Sequence, residues 1–480
     1  MMPNSMNKFY ITTPIYYVND KPHIGSAYTT LAADVLARHY RLTGQDVFFL
    51  TGTDEHGAKV AASAAAAGQT PQEFANVTAE LFALAWKNLN IKYDYFIRTT
   101  DERHETAVIK FLQKLHDRDA LYKDTYRGLY CVGCERFMND SELVDGKCPD
   151  HRTIPKKIKE DNYFFKLNDY LSKVEELVRN DEILIEPPER KLEVLGLFKQ
   201  KLPEFSVSRE HVEWGIRLPF DAKQHCYVWV DALINYLSAI GYGDDADDYA
   251  KWWPADLHLM AKDILKFHAI YWPALLMAVN EPMPKRLYVH GFFSIDGAKM
   301  SKSIGNVIDP NDLVTKYGVD GARYLLLTQF PFGQDGDVKA GLFTEKFNAD
   351  LANGLGNLVS RTAKLIEKHD VALTVVKNIE GSELVQRVSA SLGRLAFDQG
   401  LKDIWAYIAD TNKYLDTEAP WKLGTDQTEK IAQVLTITAG RIREVAAALR
   451  PFLPETSLKI TQQLSGPKVK KLEGLFPRLT

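Results

Sequence analysis

Lys299-Met300-Ser301-Lys302-Ser303 sets two ammonium groups three residues apart with hydroxyls between them. Such a group of side chains can clamp a polyphosphate leaving group as its charge develops. The run follows an apolar stretch, Leu287 to Phe293, that reads as a buried strand, and Gly297 and Gly305 flank it as hinge points. Alone, a Lys/Ser-rich pentapeptide is ordinarily a solvated loop. A second anion site stands near the start of the chain. Phe9 to Val18 is rich in aromatic and β-branched residues and predicts a strand, Asn19 to Pro22 a turn. His23-Ile24-Gly25-Ser26 then opens a helix that Gly44 ends, and Asp46 to Leu50 predicts the next strand. Strand, turn and helix start make the phosphate-binding half of a doubly wound α/β fold. Gly25 would let a nucleotide approach the backbone, and His23 could donate to a phosphate oxygen. The alternative is a surface histidine at a helix start.

A third group points to a metal. Of the four cysteines, Cys131, Cys134 and Cys148 fall within eighteen residues. Cys131-x-x-Cys134 and Cys148-x-x-His151 are two ligand pairs with thirteen residues between them. They predict a tetrahedral zinc site of three sulfurs and one nitrogen, with Gly133 and Gly146 supplying the turns. Four protein ligands leave no open position, so the metal is expected to be structural. Cys226 reads as a core or pocket-edge thiol.

The elements that must hold these groups fit a chain of 480 residues, 45% hydrophobic and 25% charged, enough for roughly two to four cored domains. No apolar run is long enough to span a membrane, and Met1 to Lys8 lacks the apolar core of a signal peptide, so a cytoplasmic protein is expected. The net charge is −4, so any nucleic-acid contact must be made by local basic patches. No internal repeat is evident. Asp244 to Asp248 reads as a solvated acidic loop.

The first two groups resemble the paired HIGH and KMSKS elements of class I aminoacyl-tRNA synthetases. Thr12 to Asn19, Thr51 to Gly57, Tyr227 to Leu233 and Cys131 to Cys134 are similar to methionyl-tRNA synthetases in particular. The likeness runs from about Phe9 into the C-terminal helices. It implies a Rossmann-type α/β catalytic domain split by a zinc-knuckle insert and followed by an α-helical bundle that binds the anticodon. The expected segments are residues 1–118 and 225–342 for the two catalytic halves, 119–224 for the insert and 343–480 for the bundle. The insert is too short to hold a separate editing domain beside the knuckle, so proofreading is expected in the synthetic site, by homocysteine cyclisation.

The resemblance also implies an activity, methionine–tRNA ligation, and residues for it. ATP would be held by His23, Gly25, Ser26, Asp263, Lys299 and Lys302. Of these, His23, Lys299 and Lys302 act catalytically on the pyrophosphate, Asp263 holds the ribose, and magnesium arrives with ATP. Methionine would meet Ile15, Tyr17, Asp54, Trp229, Ala232, Tyr236, Ile264 and His268. Trp229, Ala232 and Tyr236 share one helical face by spacing, and so do Ile264 and His268. An aromatic wall suits a thioether, Tyr236 could donate to its sulfur, and Asp54 could pair with the ammonium. Asn357, Arg361 and Trp421 would read the CAU anticodon of initiator and elongator tRNA(Met). The chain's end at Thr480 leaves no room for an appended tRNA-binding domain, so a monomer is expected.

Two positions depart from the family pattern. Ser26 stands where the HIGH element ends in histidine, and Ala261 where glycine precedes Lys262-Asp263-Ile264. Both bear on ATP: the serine removes an adenosine contact while offering a helix cap, and the methyl group could crowd the nucleotide. Two other readings follow. A small-molecule nucleotidyltransferase would need neither knuckle nor helical C-terminal region. A tRNA-binding paralogue with a degraded ATP site finds support in Ser26 but not in the intact Lys299 to Ser303 run.

Overall fold

The computed structural model describes residues 7–149, 152–300, 306–373, 379–469 and 474–480, with the backbone alone at Ser141, Ala298 and Lys299. His151, Ser301, Lys302, Ser303 and Gly305 lie outside the described residues. The chain forms two compact units. One comprises Met1–Pro22, Gln45–Trp86 and Lys92–His290, the other His23–Gly44, Lys87–Ile91 and Gly291–Thr480.

The first unit contains strands β1 (Lys8–Tyr17), β2 (Asp46–Asp54), β3 (Tyr95–Arg98), β4 (Leu121–Cys131), β5 (Arg136–Met138), β6 (Lys156–Phe165), β7 (Leu184–Glu186), β8 (Ser208–Arg209), β9 (His225–Cys226), β10 (Leu257–Ala261) and β11 (Arg286–His290). Six of them build a sheet in the order β3-β2-β1-β10-β11-β7, parallel at every pairing. The order runs outward in both directions from the β1/β10 junction. That reversal opens a crevice beyond the carboxyl ends of the two strands, which is where open α/β sheets bind ligands. Apolar residues bury the sheet on both faces, Tyr10, Leu50 and Val289 on one and Ile11, Phe49 and Leu259 on the other.

Pro14 sits inside central β1, where a missing N–H would break the ladder. The register accordingly shifts between Thr12 and Ile15. Thr13 Oγ donates to Thr51 Oγ at 2.8 Å, and Thr12 Oγ lies 2.6 Å from His258 Nδ1 on β10, so the bulge is tied to both neighbouring strands. β4, β5 and β6 form a separate antiparallel sheet that carries the cysteines.

The second unit holds a helix, α1 (Ile24–Leu42), a small sheet of β12 (Phe293–Ile295), β13 (Ala298–Lys299) and β14 (Gly336–Val338), and a succession of helices from Pro310 onward. The apolar run that reads as one strand is thus two, β11 and β12. They part at Gly291, whose missing side chain lets the Gln334–Asp335 backbone pass: a Cβ there would lie 2.4 Å from Asp335 N. Five helices, Asn357–Lys368, Glu383–Gly393, Phe397–Glu418, Thr428–Leu449 and Pro454–Gln463, make up most of the C-terminal part. Among the described residues no helix is long and apolar enough to cross a membrane.

Candidate active site

In the first unit, Ile15 and Tyr17 lie past the bulge of β1, Asp54 ends β2, and Ile264 lies in the 3-10 turn Lys262–Ile264 that leaves β10. All four therefore emerge at the carboxyl edge of the sheet. Trp229, Ala232 and Tyr236 lie on the helix Val228–Ser238, as their spacing predicts. Trp229 stacks on Phe267 with centroids 4.2 Å apart and planes at 13°. His268 lies in a π-helical turn, Phe267–Tyr271, rather than on the α-helical face expected from its spacing with Ile264. The turn lets His268 Nδ1 bond the Ile264 carbonyl at 3.0 Å.

That bond fixes the histidine's tautomer. Burial lowers the His268 pKa to about 4, so the ring is neutral near pH 7. With Nδ1–H donating to Ile264, Nε2 can only accept, and the Tyr236 hydroxyl donates to it at 2.7 Å. The expectation that Tyr236 donates to a substrate sulfur is corrected here: its proton is committed to His268. What the pair presents is an ordered aromatic wall.

Asp54 is buried, and its Oδ1 has no hydrogen-bond partner within the described structure. Burial first, then the charges of Asp231, Glu135 and Glu55, push its pKa well above the usual carboxylate value. The other carboxylates are already engaged. Glu55 accepts two bonds from Arg98, at 2.7 and 2.8 Å. Asp231 accepts from His56 Nδ1 and His104 Nε2, each at 2.7 Å. Burial opposes charge on Asp231, but His56 and His104 hold its pKa at about 2. Burial likewise opposes charge on His56, and Asp231 lifts its pKa above the ordinary value. Asp54 is thus a carboxylate whose ionisation calls for a cation. His56, Asp231, His104 and Glu135 were not singled out from sequence. The first two stand inside quoted motifs, so a signal was present, whereas His104 and Glu135 gave none.

Asp263 is exposed in the Lys262–Ile264 turn, also at the carboxyl edge. Ala261 before it has φ −83° and ψ 160°, an extended conformation that any residue adopts, so this backbone makes no demand for glycine.

In the second unit, His23 is the N-cap of α1 and its Nδ1 accepts from Gly25 N at 3.1 Å. Nε2 is therefore the protonated nitrogen. Ser26 is not itself the cap. Its Oγ accepts from His23 N at 3.2 Å and donates to His23 O at 2.8 Å, completing a reciprocal capping box. Gly25 is required beneath the ring, since a Cβ there would lie 2.9 Å from His23 Cε1 and 3.2 Å from Met300 Cε. The Met300 methyl group thus lies over the start of α1. Lys299 ends β13, its backbone paired with Ser294. Gly297 is no open hinge. Asp296 and Gly297, at φ 50° and 80°, form the two-residue turn between β12 and β13. Asp337 Oδ1 accepts from Gly297 N at 2.7 Å and from Ser294 Oγ at 2.9 Å.

The three thiols of Cys131, Cys134 and Cys148 lie within 4.8 Å of one another. Cys131 and Cys148 are buried with Met138, under Leu129 and Leu143. Gly146 (φ 69°) turns the chain with Asp145 (φ 52°), as expected, but after the first pair the left-handed residue is Glu135 (φ 47°) and not Gly133. Sulfur donors this close and this buried fit a thiophilic metal ion such as zinc.

Arg361 and Trp421 are brought together, the guanidinium carbon 5.3 Å from the indole centroid. Arg361 also bonds Asp416 at 2.9 Å, while its Nε and Nη2 have no partner within the described structure. Asn357 is exposed one turn earlier on the same helix, and Trp421 is 39% exposed, so a planar group could stack there.

The fold is that of a class I tRNA synthetase, and a family model described as tRNA synthetases class I (M) matches residues 9–157 and 152–363. A methionine–tRNA ligase of Clostridium acetobutylicum is 45% identical over 503 residues, spanning 98% of this chain and 78% of its own. One from Bacillus subtilis is 41% identical, spanning 100% and 79%. A solved Mycobacterium tuberculosis methionyl-tRNA synthetase in complex with methionyl-adenylate matches with a TM-score of 0.93 at 37% identity, over 98% of this chain and 100% of that one. Within the class, the chain belongs to the methionyl-tRNA synthetase family.

Proposed function

We propose that the chain activates L-methionine with ATP, releasing pyrophosphate, and passes the methionyl group from the adenylate to the 3′ adenosine of tRNA(Met). The observation that carries the amino-acid assignment is Asp54, a buried carboxylate with an unpartnered oxygen at the carboxyl edge of the sheet. A substrate ammonium supplies the cation it lacks. Ile15, Tyr17, Trp229, Ala232, Ile264 and the Tyr236–His268 pair form the wall against the thioether, where sulfur packs well on ring edges.

No side-chain nucleophile is required, because the methionine carboxylate attacks the α-phosphate itself. The protein positions the reactants and stabilises charge. His23, with its proton on Nε2, donates to phosphate oxygens at the amino end of α1, and Gly25 and Ser26 shape that helix start. Lys299 and Lys302 take the departing pyrophosphate, and Asp263 holds the ribose. Magnesium accompanies ATP. Cys131, Cys134, Cys148 and His151 would hold one zinc ion, which cross-links the insert and takes no part in the chemistry. Asn357, Arg361 and Trp421 receive the CAU anticodon, with the exposed indole of Trp421, packed on Arg361, as the stacking surface.

We propose further a cytoplasmic monomer whose tRNA partners are initiator and elongator tRNA(Met), built from the four segments 1–118, 119–224, 225–342 and 343–480; sedimentation equilibrium tests the monomer. The activity is tested by charging purified tRNA(Met) with labelled methionine, beside a transcript whose CAU anticodon is replaced. Charging of the first and a large loss with the second are expected. Equal charging of both would refute anticodon recognition, and charging of neither the ligase reading.

A further inference from the structure

Glu135 follows Cys134 in the antiparallel insert, yet its bonds run to the candidate amino-acid site. It is buried, and at φ 47° it occupies the left-handed region that a non-glycine residue enters only at an energetic cost. The turn aims its carboxylate at the ends of β1 and β2. Oε2 accepts from the Tyr17 hydroxyl, which also lies 2.9 Å from the His56 carbonyl oxygen. Oε1 accepts from Lys59 N at 2.5 Å. The Glu135 carbonyl accepts from the Tyr227 hydroxyl at 2.6 Å. One residue earlier, the Cys134 carbonyl accepts from Trp229 Nε1 at 3.4 Å. Gly57 leaves the space in which the pair meets: a Cβ there would lie 2.3 Å from Glu135 Oε2 and 2.5 Å from the Tyr17 hydroxyl.

None of these bonds gathers the thiols. They hold Tyr17 at the end of β1, the segment after β2, and the start of the helix that carries Trp229. We infer that Glu135 is a positioning residue of the amino-acid site, acting through Tyr17, so that the cysteine-bearing insert contributes a side chain to amino-acid binding. This rests on the methionine-site reading above. Without the carboxylate, the Lys59 amide loses its partner and the Tyr17 ring keeps only one of its two anchors.

ATP–pyrophosphate exchange with methionine varied tests this in Glu135→Gln, Tyr17→Phe and the double variant, alongside thermal melting and bound-metal content. Glu135→Gln is expected to raise the KM for methionine about tenfold, as loss of a buried charged acceptor does. The KM for ATP, kcat and metal content stay within about twofold of the parent. The double variant is expected to be no worse than the worse single one, because both substitutions cut one link. Should Glu135→Gln not fold, Tyr17→Phe decides alone: an about tenfold rise supports the link, and an unchanged KM overturns it. A KM for methionine unchanged in Glu135→Gln, multiplicative effects in the double variant, or equal rises for ATP and methionine with lost metal would each overturn the inference. A parent protein without methionine-dependent exchange would instead refute the underlying methionine site, and the inference with it.

Discussion

Asp54 and His268 show how burial sets the chemistry of single residues here. Asp54 is raised by burial and by neighbouring carboxylates, so it gains most from a bound ammonium. Asp54→Asn is expected to raise the KM for methionine in exchange roughly ten- to a hundredfold, the scale of one lost charge-assisted bond, with the KM for ATP little changed. An unchanged KM for methionine would remove Asp54 from the site. His268 is lowered to about 4 from an ordinary 6.5. Between those values the unfolded chain binds more protons than the folded one, so stability rises with pH. It is fully present above about 6.5 and lost as pH falls toward about 4. His258 and His39, lowered by burial, act in the same sense, and His56, raised by Asp231, opposes them. The melting temperature should therefore fall on acidification below pH 6.5, and less steeply in His268→Gln. An equal slope in the two proteins would contradict this. The helix that carries Trp229, Ala232 and Tyr236 was legible from their spacing. The commitment of the Tyr236 proton was not, because it depends on a π turn that periodicity does not encode.

Helix starts and turns decide where the groups proposed to meet phosphate stand. Ser26 spends its hydroxyl on the backbone of His23, so Ser26→Ala should cost about 1 kcal/mol of stability by denaturant unfolding. Ser26→His removes the same box, and any gain in ATP affinity must appear against that loss. Asp337 is exposed and outside every recognised motif, yet it holds the turn that leads into β13. Asp337→Ala should raise the KM for ATP severalfold without moving the KM for methionine. Movement of both together would place its effect elsewhere. Strand β1, helix α1 and the helix Val228–Ser238 were legible because alternation, caps and spacing agree locally. The acidic run was not: Asp245 caps a helix, Ala246–Trp252, accepting from Asp247 N and Asp248 N at 3.1 Å each. Like charges suggest a loop, but carboxylates at a helix's amino end complete its hydrogen bonds and are stabilised by the positive end of its dipole.

At the scale of the whole chain, the residues proposed for methionine and those proposed for the anticodon belong to different compact units. Trp421→Ala should therefore raise the KM for tRNA about 5- to 150-fold while leaving tRNA-independent exchange intact, since stacking on one base contributes about 1–3 kcal/mol. Loss of exchange in that variant would contradict the assignment. Chelation with a zinc-specific reagent should release about one equivalent of metal and lower the melting temperature, as loss of a structural ion does. Release of no metal would refute the thiol site as a metal site. The parallel α/β class and the helical C-terminal region were legible because several motifs occur in one sequence, whereas the interleaving of the two compact units was not, because it depends on which segments pack together. Methionine activation is the reaction proposed for this site. ATP–pyrophosphate exchange, with each of the twenty amino acids supplied in turn and no tRNA, tests it most directly. Exchange with methionine strongly favoured is predicted; exchange with no amino acid, or with another one preferred, would contradict it.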